Sequence, residues 1–207
     1  MTDALPKPPP PSRGKLLIGA GIVTAVATAI AVLFVLPAEF DIDPTGFGKF
    51  TGLIKIADPG MSPEQKRGAL RPGVLTLSDG AQAPEPGQTD HWEFELAPYG
   101  SIEFKYEVDQ GQAMTFRWLA TGPLHYDMHA HPFEGGTALT ESYSVGDAEA
   151  MQGRYVAAFT GIHGWYWQNR SMEPVKLTLD ASGAIKGSRL FDSSGEQKRP
   201  LAPRRRP

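Results

Sequence analysis

Among 207 residues there is no cysteine. That absence excludes disulfides, thiol nucleophiles, Cys-type zinc sites, iron–sulfur clusters and blue-copper centres. Patterns of the GxSxG, HExxH and P-loop kinds are missing too, so the commonest hydrolase and nucleotide-binding chemistries have no local signature here. A hydrolytic enzyme would have to assemble its centre from unordered parts such as Ser142 and Ser144 beside Glu141, which is ordinary strand-edge composition. Past residue 36 nothing reads as a long helix. Positive charge is scarce in the middle of the chain. Residues 1–15 carry Lys7, Arg13 and Lys15 against Asp3, and residues 197–207 carry five Lys/Arg and no acid, so the centre is strongly acidic although the formal net charge is only -3. An acidic centre argues against a nucleic-acid partner.

What the chain does have is Leu16–Leu36, 21 residues without a charge. As a helix this run is about 31 Å long, which matches a bilayer hydrocarbon core of about 30 Å. A cleaved signal peptide is the competing reading, with the same three cations as its basic region. Its apolar core would be shorter, though, and the exit Leu36-Pro37-Ala38-Glu39 offers no small-x-small cleavage site. The basic arm precedes the helix and Glu39, Asp41 and Asp43 follow it. The positive-inside rule then leaves the N-terminus in the cytoplasm and carries the rest of the chain across the membrane.

Five regions follow: a disordered cytoplasmic arm (1–15), a transmembrane helix (16–36), a membrane-proximal connector with a short helix (37–72), a β-domain (73–192) and a disordered basic tail (193–207). In the connector, Ser62-Pro63-Glu64-Gln65 has the form of a helix start, with a serine cap and a proline at the first helical position. From Asp90 the apolar period becomes two. Trp92, Phe94 and Leu96 share one strand face, as do Ile102, Phe104, Tyr106 and Val108, and then Met114, Phe116 and Trp118. Further strands are expected at 74–77, 125–129, 138–145, 153–160, 164–168 and 174–179. Short strands separated by glycine and proline turns predict an all-β domain, an antiparallel β-sandwich or jelly roll, behind one transmembrane helix.

Two stretches can carry chemistry. In His125-Tyr126-Asp127-Met128-His129-Ala130-His131 an extended chain puts His125, Asp127, His129 and His131 on one face. Asp127, His129 and His131, with His163 from a neighbouring strand, would suit zinc or copper(II). Against this, Pro132 and the glycines at 135 and 136 place His129 and His131 near a loop, where alternation fails, and hydrogen-bonded structural histidines are the alternative. In Gly161-Ile162-His163-Gly164-Trp165-Tyr166-Trp167-Gln168-Asn169, Trp165 and Trp167 share a face opposite Tyr166. Exposed, with Tyr166 and Asn169, they would form a stacking surface for a ligand or partner; buried, they are core.

At these stretches the sequence resembles a family of bacterial transmembrane anchor proteins with one N-terminal span and a β-rich extracytoplasmic domain. The likeness rests on Ile42-Asp43-Pro44-Thr45-Gly46-x-Gly48, Tyr126-Asp127-Met128-His129 and Gly161-Ile162-His163-Gly164-Trp165-Tyr166-Trp167-x-Asn169, and covers about residues 15–190. A looser similarity is to GOLD-type sandwiches, in which a Gly-x-Tyr strand runs toward an Asn, as Gly153-Arg154-Tyr155 runs toward Asn169. The resemblance implies a topology and no reaction. The reading is therefore a single-pass membrane protein whose periplasmic sandwich is a non-catalytic binding or scaffolding module, in contact with the bilayer and a membrane or periplasmic protein. A copper- or zinc-binding protein is the alternative, and a hydrolase the third.

Overall fold

A computed structural model describes residues 12–57 and 60–203, which fall into two units, Met1–Gly60 and Met61–Pro207. In the first unit a helix runs from Arg13 to Phe40, with mean hydropathy 2.5 over its most apolar window and none of that window buried. It comprises α1 (Arg13–Ile30), a π-helical stretch (Ala31–Val35) and α2 (Leu36–Phe40). Pro37 accounts for the π turn. A proline has no N–H to give the carbonyl four residues back and its ring collides with that carbonyl, so widening the preceding turn relieves the clash. The chain then reverses through Asp41, which is left-handed at φ 54°, into α3 (Phe47–Thr51) and α4 (Ile54–Ala57).

The second unit opens with α5 (Pro63–Ala69), whose start follows the expected signal. Gln65 N donates to Ser62 Oγ at 3.2 Å and Ser62 N to Gln65 Oε1 at 2.7 Å, a reciprocal cap. This helix belongs with the β-rich unit, not with the connector where the sequence places it. Gly68 lets it dock, since a Cβ there would collide with the carbonyl of Ser142. Arg71 adds a forked pair to Glu141.

Nine antiparallel strands follow: β1 (Leu75–Leu77), β2 (Gln88–Leu96), β3 (Ser101–Val108), β4 (Ala113–Pro132), β5 (Glu141–Val156), β6 (Gly161–Gln168), β7 (Val175–Gly183), β8 (Ile185–Asp192) and β9 (Gly195–Arg199). They make two layers that share β4 and β5. β4 pairs with β7 as far as Ala120 and with β6 from His125 onward. The change of partner falls at Thr121-Gly122-Pro123, where the β4–β5 register also shifts. Proline cannot donate to a ladder, so the corner lies where pairing can be interrupted at least cost. One layer runs β2-β7-β4-β5-β1 and the other β5-β4-β6-β3-β8-β9.

Side chains at the three expected inward sets meet between the layers. Trp92 lies 4.6 Å from Phe104 ring to ring, and Phe116 lies 4.6 Å from Trp165. The tail is where sequence and structure part. Residues 193–207 read as disordered, yet Gly195–Arg199 pairs with β8 and the chain then crosses to β2, with His91 N donating to Ala202 O at 2.7 Å. Arg199 reaches Asp90, whose side chain is wholly buried, at 2.8 Å, and Tyr106 OH donates to the same carboxylate at 2.9 Å. A buried carboxylate must be paired, and this pairing joins the edges of the two layers. Residues 204–207 and 1–11, also expected to be disordered, lie outside the described residues.

Candidate functional site

β4 remains extended as far as Pro132, so the alternation that the proline and glycines put in doubt holds throughout. Leu124, Tyr126, Met128 and Ala130 face the core, while His125, Asp127, His129 and His131 stand on the outer face. Each has a local partner. His125 Nδ1 lies 2.9 Å from Asp147 Oδ1, Ser142 Oγ donates to Asp127 Oδ1 at 2.5 Å, His129 Nε2 lies 3.2 Å from Glu103 Oε1, and His131 Nδ1 lies 3.4 Å from Pro132 O.

His163 does not join them. It pairs across the ladder with Ala130 on one side and Tyr106 on the other, both inward, so its ring enters the core with no exposure. There Nδ1 lies 2.7 Å from Tyr155 OH. Burial, helped by the nearby Lys105 charge, lowers its pKa to about 3, and the ring is neutral. The expected set Asp127, His129, His131 and His163 is therefore split between two faces of one layer. Among the described residues, no three His, Asp or Glu side chains come together as a metal site.

The outer face instead carries a chain of charges over one gap. Lys105, Gly164 and His129 lie in one row across β3, β6 and β4. Because residue 164 has no side chain, Lys105 spans it, and Nζ donates to His129 O at 2.9 Å while pairing with Glu103 at 3.2 Å. Lys105 has no exposed surface. Desolvation lowers its pKa to about 8 despite the Glu103 and Asp127 carboxylates. Burial would raise the Glu103 carboxyl, but the His129 hydrogen bond and the Lys105 charge outweigh it and hold it at about 2. Here the order is serine, aspartate, histidine. Asp127 stands between Ser142 and His129, whereas a serine nucleophile is activated by an imidazole in direct contact with it.

The aromatic stretch is core, correcting the alternative that made it a ligand surface. Trp165 and Trp167 are fully buried and stack at 5.6 Å, and Trp167 also meets Trp118 at 6.0 Å. Tyr166 is half-buried on the outer side. Asn169 is a fully buried latch. Its Nδ2 donates to Ala97 O at 3.1 Å and Glu173 O at 2.7 Å, and its Oδ1 accepts from Ser171 N at 2.9 Å, tying two loops together.

Space for a ligand lies elsewhere. A groove of about 530 Å³ runs along the outer face of the other layer, lined by Thr89, Thr115, Arg117, Gln152 and Ser182 and roofed by Pro84. A second, of about 360 Å³, has an apolar wall of Leu77, Leu119, Tyr126 and Met151. Arg117 and Gln152, paired across β4 and β5, border both. No motif marks either groove, because their walls come from strands far apart in the chain.

Comparison with protein families and with curated proteins finds no match for this chain. Among solved structures it is similar to the crystal structure of the Yersinia pseudotuberculosis-derived mitogen, at 13% identity and a TM-score of 0.36, covering 58% of this chain and all of that one. At that level the likeness carries no functional argument. A β-rich domain preceded by one helix long and apolar enough to cross a membrane is what the chain shows.

Proposed function

We propose that this chain is a single-pass inner-membrane protein, N-terminus in the cytoplasm, whose periplasmic sandwich binds or scaffolds a partner without catalysis. The observation that carries the proposal is the disposition of apolar surface. The Arg13–Phe40 helix leaves its aliphatic side chains uncovered, while the β-rich unit closes its own core with strands and tail. Such a helix needs lipid, and such a domain needs no further chain to fold. The two grooves that meet at Arg117 and Gln152 supply the binding surface, each mixing apolar walls with a few polar groups, as ligand sites commonly do.

Two readouts on the full chain test this. Protease should remove the β-rich unit from sealed spheroplasts but not from inverted vesicles; the opposite pattern overturns the orientation. A photo-cross-linking residue in place of Arg117 should give an adduct that the same residue in place of Lys176 does not. Equal labelling at both sites, or none at either, overturns the groove as the binding surface.

A further inference from the structure

The reversal after the membrane helix has a geometry that a spacer does not require. Asp43 anchors it, with Lys49 N donating to Oδ2 at 2.7 Å and Thr45 Oγ1 to Oδ1 at 3.3 Å, while Phe47 N donates to Thr45 Oγ1 at 3.2 Å. Gly46 takes φ 76° to start α3. Gly48 is buried against Pro37, where any Cβ would collide with the proline ring. The chain is thus folded back along the helix it has just left, and α4 packs against α2.

The level at which it is held is fixed by one ring pair. Phe47 meets Phe34 edge to face at 5.3 Å. Phe34 lies inside the uncharged run, two residues before its end, or about 3 Å along the axis. The start of α3 therefore stands level with the last turn of the apolar span. The same hairpin and the helix end it folds against turn apolar side chains outward: Phe50 is 88% exposed and Ile56 64%, with Phe40 at 63% and Ile42 at 53%. Lys49 and Lys55 are exposed beside them. Uncovered apolar side chains adjoining cations that can reach upward suit the boundary between acyl chains and phosphates.

We propose that Phe47–Ala57 is an interfacial lipid anchor, lying in the leaflet on the domain side with Phe50 and Ile56 in the acyl boundary and Lys49 and Lys55 at the lipid phosphates. It rests on the membrane-spanning reading and goes beyond it. The hairpin fixes how far the helix can slide through the bilayer.

The absence of cysteine makes the test clean. Single cysteines replace Val26, Lys49, Phe50 or Ile56, all exposed positions, in the full chain. Each carries an environment-sensitive fluorophore, and each variant is reconstituted in phosphatidylglycerol–phosphatidylethanolamine vesicles. Labels at 50 and 56 should emit to the blue and lose intensity to acyl-chain nitroxides within about twofold of the label at 26, as buried interfacial side chains do. The label at 49 should respond to a head-group nitroxide instead. Quenching at 26 with water-like emission at 50 and 56 overturns the lipid anchor and leaves the span standing. Blue emission at 50 and 56 that no nitroxide touches means that protein covers them, a second copy included, and also overturns it. Absence of quenching at 26 overturns the span and the anchor together.

Discussion

Leu17 in the first unit is 74% exposed and Leu96 in the second is 1% exposed. The same residue type meets opposite fates because its neighbours differ. Around Leu96 the strand alternates, so Glu93 and Glu95 give the outer face to water while Trp92 and Leu96 pack inward. Around Leu17 no polar face exists on any side for 21 residues, so no orientation of the helix can satisfy water. The lesson is that apolar content alone does not place a residue; the pattern of what lies between the apolar positions does.

The contrast can be broken or sharpened by substitution. Trp165→Ala removes a fully buried indole stacked on Trp167 and should cost about 3–5 kcal/mol, the range for a large aromatic in a closed core, read as a lowered unfolding midpoint. Arg199→Ala strands the buried Asp90 carboxylate and should cost about 3 kcal/mol in a denaturant titration. An unchanged midpoint in that variant would return the tail to the disordered state its composition suggests. Asn169→Ala leaves Ala97 and Glu173 carbonyls short of a donor and should cost about 2 kcal/mol, visible as faster amide exchange in the 169–174 loop.

Acid adds a smaller, graded effect. In the unfolded chain His163 takes up a proton near pH 6.5, whereas the folded ring resists until about 3. The unfolded state therefore binds more protons in between, and stability falls as the pH drops. Between about pH 6.5 and 5.5, above the range where Glu103 begins to contribute, the slope from this ring should rise toward about 1.4 kcal/mol per pH unit and vanish in His163→Phe. Smallest of all is Leu17→Ala, which should leave the unfolding midpoint of the β-rich unit unmoved, since nothing in either unit covers that side chain.

Much of this was legible in advance, and the exceptions are instructive. The inward sets of β2, β3 and β4 follow from period two alone, as does the shared face of His125, Asp127, His129 and His131. Strands 8 and 9 escaped because Ile185–Asp192 and Gly195–Arg199 are mostly polar and carry no sustained alternation. A signal for the tail did exist, however. Asp90 has the same parity as Trp92 and Leu96, so an acid was bound to face the core and demand a cation. His163 faces away from the other three for the same reason that Trp165 and Trp167 are core, because all three share one parity on β6. Parity assigns faces within a strand, but which strand lies beside it decides whether two faces agree. Lys105 lay beyond reach altogether, since an outward lysine is buried only where a neighbouring strand offers a glycine, here Gly164.

The central claim is that the Arg13–Phe40 helix stays on the protein and holds it in a bilayer. The most direct test is the intact mass of the chain recovered from alkali-washed membranes. The account predicts the full-length mass of about 22.4 kDa in the membrane pellet. A polypeptide beginning near Glu39, or a full-length chain released into the alkaline supernatant, would contradict it.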